Sequence, residues 1–212
     1  ELPIGDFYIK FYAKDECENV DSCFQKITVT DLTSPVLVTK IDYTIYLDSL
    51  GSGTLKIANI NEGTYDNCGV IKDIVIRRLA TGTKAASNWS SELTFDCDDI
   101  ISQNNIEILA TDDNGNSSNR IIPIIVKDNY SPQITCPANI TVTCDKLQEL
   151  NNLAGNPIVK DNCTYSLSFE DLNKTGGCGI GTIERKWIVK DNSPRIATCT
   201  QYVYVTNSKN LY

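Results

Sequence analysis

The chain of 212 residues contains no histidine and no methionine. Without histidine it cannot build a Ser-His-Asp triad, a Cys-His dyad, an HExxH zinc site or an imidazole general base. We therefore expect that the protein is not an enzyme. The chain also lacks an apolar run of about 18 residues, the length that a transmembrane helix needs, so no membrane-spanning segment is expected. It has no signal peptide at Glu1, which indicates processing or a piece of a longer polypeptide.

Basic residues are scarce and are not clustered. Nineteen Lys and Arg stand against 27 Asp and Glu, which gives a formal net charge of −8. Nucleic acids and anionic membrane surfaces bind clustered Lys and Arg, so the sequence predicts no nucleic-acid partner. With 41% hydrophobic and 22% charged residues the composition is that of a globular protein, and the length suits about two domains.

Nine cysteines are present, and none forms a C-x-x-C pair. Thiolate zinc sites and redox motifs use such closely spaced pairs, so disulfides are the better interpretation. Disulfides persist in oxidising compartments, and we therefore expect an extracellular protein. The cysteines stand at positions 17, 23, 68, 97, 136, 144, 163, 178 and 199.

Apolar residues alternate with polar ones at a two-residue period in segments such as 41–48 and 106–112, which is typical of half-buried strands. Only residues 146–153, with leucines at threefold spacing, predict a short helix. Clusters of Asn, Gly, Asp, Ser and Pro separate the strands at intervals that suit β-sandwiches. The expected fold is all-β, a series of immunoglobulin-like sandwiches.

Three segments align without a gap, each predicted to be the first strand of a hairpin: residues 11–15, 108–112 and 187–191. In each, a polar loop leads to a second strand in which Cys23, Arg120 and Cys199 are equivalent. Phe11, Ile108 and Trp187 share one parity, and so do Ala13, Ala110 and Val189. A slip of one residue would turn this set outward, so the shared parity predicts the core face.

Two junctions follow these hairpins, Asp31-Leu-Thr-Ser-Pro35 and Asp128-Asn-Tyr-Ser-Pro132. Ser-Pro favours an extended, semi-rigid connection, so we place domain boundaries here. The predicted organisation is a C-terminal hairpin of a truncated domain at 1–31, a complete domain at 32–128 and a complete domain at 129–212, arranged end to end. We expect that earlier strands of the first domain precede Glu1 in a longer chain.

The middle domain contains only Cys68 and Cys97, so parity predicts a bond between them. Asp66-Asn-Cys68 is repeated as Asp161-Asn-Cys163, and equivalence then predicts a bond between Cys163 and Cys178.

The remaining cysteines are assigned by the same alignment. Cys136 and Cys199 have no cysteine counterparts in the middle domain and are predicted to pair. Cys17 faces Cys23 across a short loop, although Cys23 could instead bond a residue before Glu1. Cys144 is either a buried thiol or a partner of Cys136.

The segment 131–145, with Asp161-Asn-Cys163, Trp187-Ile-Val-Lys-Asp191 and Cys199-Thr-Gln201, resembles the hyalin-repeat (HYR) type of immunoglobulin-like domain. It is also similar to the cysteine-rich repeats of giant bacterial surface adhesins of the gliding type, exported by type IX secretion. Ser193-Pro194 departs from the usual Cys-Gly of that family. The resemblance implies a non-catalytic segment of a cell-surface filament or adhesin stalk for attachment or gliding. Its implied partners are neighbouring domains, other filament chains and surface polysaccharide.

A second hypothesis is a glycan- or protein-binding module. Tyr202 and Tyr204 lie on one predicted strand, and Trp89 lies in a polar loop, where it is either a sugar platform or a lid on its own core. The adjacent acids Asp98-Asp99 and Asp112-Asp113 point to opposite faces of a strand, so they do not make a glycosidase pair.

Asp112, in Ala110-Thr-Asp-Asp-Asn-Gly115, and Asp128 resemble the inter-domain calcium sites of cadherin-like repeats. The alternative is turn chemistry, which uses the same Asx and Gly residues. Asp15, Asp31 and Asp191 repeat these positions, so a real structural calcium site should recur at each junction. No other cofactor is expected.

Overall fold

The computed structural model describes residues 2–82, 84–100, 102–176 and 179–207, and these residues are mostly β-strand. The strands are β1 (Gly5–Lys14), β2 (Val20–Val29), β3 (Tyr43–Tyr46), β4 (Ser52–Lys56), β5 (Ile71–Arg78), β6 (Glu92–Asp96), β7 (Asn104–Asp112), β8 (Ser117–Lys127), β9 (Gln133–Thr135), β10 (Ile140–Thr143), β11 (Ile158–Lys160), β12 (Tyr165–Thr175), β13 (Gly181–Asp191) and β14 (Ile196–Thr206). Two single-turn helices, α1 (Ile57–Ile60) and α2 (Leu150–Leu153), and 3-10 turns at Cys97–Asp99 and Cys144–Glu149 complete the fold. Within the described ranges, no helix has the length and apolarity to cross a bilayer.

The chain forms two compact units. The first contains Glu1–Tyr43, Lys56–Leu93 and Asn105–Pro123, and the second contains Thr44–Leu55, Thr94–Asn104 and Ile124–Tyr212. The predicted middle domain, 32–128, contributes residues to both units. The domain boundaries at 31/32 and 128/129 therefore stay predictions.

In the first unit, β1 and β2 form a two-stranded antiparallel sheet in which Phe11 lies opposite Cys23. Phe11 was expected on a core face, but its side chain is 53% exposed. The parity is the same as in the other hairpins, but a single two-stranded sheet has no second layer to cover it among the described residues. Parity alone cannot bury a side chain without a partner sheet.

The first unit also holds the pairing of β5 with β7, in which Ile76 lies opposite Ile108. Ile108 and Ala110 are buried, as the shared parity predicted. Strands β7 and β5 are neighbours in the sheet order β3-β8-β7-β5, and β4 pairs with β6 in a separate two-stranded sheet. The hydrophobic face of β7 is therefore turned inward as the sequence indicates.

The second unit repeats this arrangement with the sheet β10-β14-β13-β12 and the pair β11-β9. Strand β10 runs parallel to the last strand, β14, and the other pairs are antiparallel. Trp187 lies opposite Cys199, the register that Phe11 and Cys23 share in the first hairpin. A first strand beside the last, with the final hairpin in the middle of the sheet, is the topology of an immunoglobulin-like sandwich.

The core of the second unit lies under α2. The predicted short helix at 146–153 is present as the second 3-10 turn followed by α2. Leu150 and Ala154 are buried there, and Cys144 is half-buried against the same residues. The buried members of this cluster are Val142, Leu150, Ala154, Ile183, Val203 and Val205.

Arg185 of β13 is a buried charge, with only 1% of its surface exposed. Its guanidinium donates from Nε and Nη2 to the two carboxylate oxygens of Asp171, both at 2.8 Å, and from Nη2 to Asn151. It also lies 4.0 Å from the centre of the Phe169 ring, which meets Trp187 edge to face. A guanidinium that is paired and stacked in this way is stabilised although it is removed from water.

We expect Asp171→Asn to lower the free energy of unfolding by about 2–4 kcal/mol, because it leaves the Arg185 charge buried without a carboxylate. Glu184→Gln is the matched control, since Glu184 pairs with Lys174 on the same two strands, and the Lys174 side chain is 53% exposed whereas that of Arg185 is 1% exposed. Its cost should stay below about 1 kcal/mol. Urea denaturation without reductant measures both, and equal costs would contradict this account of Arg185.

Candidate functional site

Three aspartates from separate loops of the first unit meet at one point. Asp31 follows β2, Asp66 precedes β5, and Asp112 ends β7. One carboxylate oxygen from each lies within 4.8 Å of the others. Asp31 and Asp112 are buried, and Asp66 is half-buried. We call these three residues the first aspartate cluster.

One oxygen of each aspartate in the first cluster closes a turn in its own loop. Asp31 Oδ1 accepts from Thr33 N at 2.9 Å, Asp66 Oδ2 accepts from Cys68 N and Gly69 N at 3.0 and 2.9 Å, and Asp112 Oδ1 accepts from Asn114 N and Asn116 N at 2.9 and 2.8 Å. These bonds are the turn chemistry that the sequence offers as the alternative to a metal site.

The turns leave other oxygens of the first cluster unaccounted for. Asp31 Oδ2 and Asp66 Oδ1 are buried and have no hydrogen-bond partner among the described residues. Asp112 Oδ2 accepts from Asn116 Nδ2 at 2.9 Å. Burial raises the pKa of Asp112, but hydrogen bonds from Asn116 and its neighbours outweigh it and hold that pKa below its ordinary value. Asp112 is therefore ionised at neutral pH.

The second unit contains the equivalent set, Asp128 after β8, Asp161 after β11 and Asp191 at the end of β13. We call it the second aspartate cluster. In each residue Oδ1 accepts a backbone bond, from Tyr130 N, Asn162 N and Arg195 N respectively. In each residue Oδ2 is buried without a partner in the described part of the chain.

Electrostatics tie the second cluster together. Burial raises the pKa of Asp161, and the charges of Asp128 and Asp191 add to that rise, against hydrogen bonds from the backbone of Asn162 and Cys163. The side chain of Asn162 donates to Asp128 Oδ1 at 3.1 Å and to the carbonyl of Asp48 at 3.0 Å, while its own Oδ1 is buried and unpartnered. Four oxygens thus lack the partners that buried polar groups normally have.

The sequence-predicted metal residues, Asp112 and Asp128, are both in clusters, but in different ones. Asp66 and Asp161 are the aspartates of the two clusters that the pattern of acids before each junction does not predict. The repeated Asp-Asn-Cys motif is the signal for them in the sequence. Asp15 occupies the place equivalent to Asp112, yet it is exposed, and its two oxygens only close a turn with Cys17 N and Asn19.

Two disulfides are present. Cys136 bonds Cys199, as expected, with an S–S distance of 2.08 Å. Cys97 bonds Cys163 at 2.04 Å, so the expected bond between Cys68 and Cys97 is wrong, and so is the bond of Cys163 to Cys178. Cys178 itself lies outside the described residues. Cys68 is an exposed thiol.

The other cysteines also differ from expectation. Cys17 and Cys23 are exposed thiols that are not bonded to each other. They lie apart because Cys17 is in the turn while Cys23 pairs with Phe11 along the ladder. The alternative bond of Cys144 to Cys136 is wrong, since Cys136 bonds Cys199.

The loop that holds Gly51 explains where Cys97 goes. Gly51 has a φ of +73°, and a Cβ added there would lie 2.5 Å from the carbonyl oxygen of Asn162 and 2.8 Å from Cys97 Sγ. Only glycine allows this approach. Tertiary packing of the segments around 51, 97 and 162, and not distance along the chain, selects the partner of Cys97.

The aromatic candidates for ligand binding divide in two. The ring of Trp89 has the guanidinium of Arg77 stacked over it at 4.5 Å, and Arg77 in turn bonds Glu107. Trp89 therefore packs on its own sheet, which favours the lid over the sugar platform. Tyr202 and Tyr204 are 39% and 46% exposed on β14.

No family model matches this chain, and no curated protein matches it. Similar solved structures include protocadherin gamma B2 extracellular cadherin domains 3–6, with 14% identity over 97% of this chain and 60% of that chain and a TM-score of 0.35. Dscam1 isoform 9.44, N-terminal four Ig domains, has 10% identity over 93% and 53% and a TM-score of 0.42. Protocadherin gamma B7 domains 1–4 have 14% identity over 95% and 57% and a TM-score of 0.40.

This chain therefore spans less than two thirds of the length of these structures. At such identities and TM-scores the likeness carries no argument, and the assignment of an all-β, immunoglobulin-like fold rests on the strand order described above.

Peptide mapping without reductant should recover a cross-linked pair containing Cys97 and Cys163, and a second pair containing Cys136 and Cys199. Cys68 should be alkylated before any reduction, because its thiol is exposed. The matched control is the same digest after reduction, in which both pairs disappear. A recovered Cys68–Cys97 peptide would instead restore the pairing that parity suggests.

Proposed function

We propose that this chain is a non-catalytic, load-bearing segment of a long extracellular filament or adhesin stalk at a cell surface. The observation that carries the proposal is the bond from Cys97 to Cys163, which links two positions 66 residues apart within the second compact unit. Such a bond serves a chain under tension, since it limits the length of chain that is released when the noncovalent contacts of that unit fail.

Two features support an extracellular location. Both disulfides need an oxidising compartment to persist. The resemblance to HYR repeats of gliding-type bacterial adhesins supplies the surface setting, and with it export by type IX secretion as part of the proposal. The absence of histidine and the use of the acids in turns favour a structural role over catalysis.

The two disulfides also limit extension. The loop closed by Cys97 and Cys163 overlaps the loop closed by Cys136 and Cys199. A chain pulled from its ends is therefore held at two crossed bonds, and much of the sequence between 97 and 199 is kept off the stretched path. Unfolding then releases a short, bounded length of chain instead of the whole segment.

Single-molecule pulling of the chain from its two ends tests this role. We expect discrete unfolding events, and a fully stretched length that increases by about 250 Å when reductant is added, since the bonds keep roughly 70 residues off the stretched path at about 3.4 Å each. Cys68→Ser is the control and should leave both lengths unchanged, because Cys68 is not bonded. Equal lengths with and without reductant, or extension without a discrete event, would remove the load-bearing role.

A second candidate is a glycan- or protein-binding module, favoured by the exposed Tyr202 and Tyr204 on one face of β14. A binding screen against surface polysaccharides separates the binding module from the stalk. The screen compares the intact chain with a Tyr202→Ser/Tyr204→Ser variant. Binding that the double variant loses would favour the module over the stalk.

A further inference from the structure

The unpartnered oxygens of the two aspartate clusters need a partner that the described residues do not supply. Turn hydrogen bonds account for one oxygen of each residue, but Asp31 Oδ2, Asp128 Oδ2 and Asp191 Oδ2 remain buried and unpaired in residues that are 7%, 3% and 5% exposed. Burying an ionised carboxylate without a partner costs several kcal/mol. Like charges gathered at one point increase that cost.

We infer that the first and the second aspartate clusters are each a binding site for Ca²⁺. The ligands of the first are Asp31, Asp66 and Asp112, and those of the second are Asp128, Asp161 and Asp191, with Asn162 Oδ1 as an added oxygen. These two sites go beyond the proposed load-bearing role, because that role does not require a metal.

The chemistry of the ligands favours calcium. Every candidate ligand is a carboxylate or amide oxygen, and no histidine exists in the chain, so zinc lacks its usual nitrogen donors. In the first cluster one oxygen from each aspartate lies within 4.8 Å of the others, close enough for one ion to contact all three. Mg²⁺ demands near-ideal octahedral geometry, whereas Ca²⁺ accepts flexible geometry, so carboxylates supplied by three separate loops suit Ca²⁺ better. A divalent cation bound among three carboxylates attracts each of them and so offsets the repulsion between their negative charges.

The repetition of the cluster is independent support. Three separate motifs, the Ser-Pro junction, the Asp-Asn-Cys segment and the hairpin turn, each contribute one aspartate in both units. In both units, the junction aspartate and the Asp-Asn-Cys aspartate each have one carboxylate oxygen that makes no turn bond and has no hydrogen-bond partner among the described residues. These oxygens are Asp31 Oδ2, Asp66 Oδ1, Asp128 Oδ2 and Asp161 Oδ2. Turn formation explains one oxygen per aspartate. It gives no reason for three loops to converge in the first cluster, or for buried Oδ2 atoms to be left over again in Asp128, Asp161 and Asp191.

Calcium titration of the intact, non-reduced chain by calorimetry tests the inference. We expect two Ca²⁺ per chain with dissociation constants on the order of 10⁻⁴–10⁻³ M, as in extracellular modules. Asp31→Asn and Asp128→Asn should each reduce the stoichiometry to one, and the double variant to none. Asparagine keeps an Oδ1 for the turn bonds to Thr33 N and Tyr130 N, so these variants retain the loop conformation.

Asp15→Asn is the matched control. Asp15 makes the same turn as Asp112, with bonds from the backbone two and four residues on and from an asparagine side chain, but it is exposed. The Asp15→Asn variant should therefore still bind two Ca²⁺ per chain. A loss of binding in Asp15→Asn equal to that in Asp31→Asn would mean that turn integrity, not ligation, is measured, and would overturn the assignment.

Melting of the unaltered chain provides a measurement that needs no variant. The melting temperature should rise in millimolar CaCl₂ relative to EDTA, and rise less in the same concentration of MgCl₂. No difference between CaCl₂ and EDTA, with no heat in the titration, would show that water or protons satisfy these oxygens. An equal rise with MgCl₂ would overturn the choice of calcium. Neither result affects the pulling experiment, so this inference fails separately from the proposed function.

Discussion

Burial of like charges is the constraint on which the loop structure of this protein depends. The first aspartate cluster brings three loops to one point, and in the second cluster the charges of Asp128 and Asp191 act on Asp161. In both, the side chains repel one another unless a positive charge or a proton lies between them. Burial raises the pKa of Asp112, but the hydrogen bond from the Asn116 side chain, together with backbone amides, outweighs burial and lowers that pKa. For Asp161, burial and the charges of Asp128 and Asp191 outweigh the backbone bonds from Asn162 and Cys163, so its pKa is raised. The same arrangement of acids therefore has different electrostatic balance in the two units.

The second cluster and the disulfide are parts of one local structure. Asp161 and Cys163 flank Asn162, whose side chain bonds Asp128 and Asp48 and whose carbonyl lies 3.5 Å from Cys97 Sγ. The close approach of Gly51 completes this packing. The disulfide of Cys163 and the hydrogen bonds of Asn162 thus act on adjacent residues of one loop.

The first cluster has the same acids and the same Asp-Asn-Cys motif, but Cys68 is an exposed thiol there. Repetition of sequence has therefore preserved the polar geometry and not the covalent bond. In the role that we propose for this chain, the disulfide limits extension after folding is lost, whereas the acids act only in the folded state, where their turn bonds form.

The sequence by itself determined the all-β fold, the repeated hairpins and the short helix near Leu150, because alternation and turn residues act over a few neighbouring positions. The pairing of Cys136 with Cys199 follows instead from the repeat alignment, in which both lack a cysteine counterpart in the middle domain. Tertiary structure alone decided that Cys97 bonds Cys163, that Asp66 and Asp161 join the acids of other loops, and that Phe11 is exposed. These outcomes depend on which distant segments approach one another, and on whether a second layer covers a sheet. Local periodicity encodes neither the approach of distant segments nor the presence of a covering layer. The side-chain pattern specifies which face of a strand is apolar, but not what packs against that face.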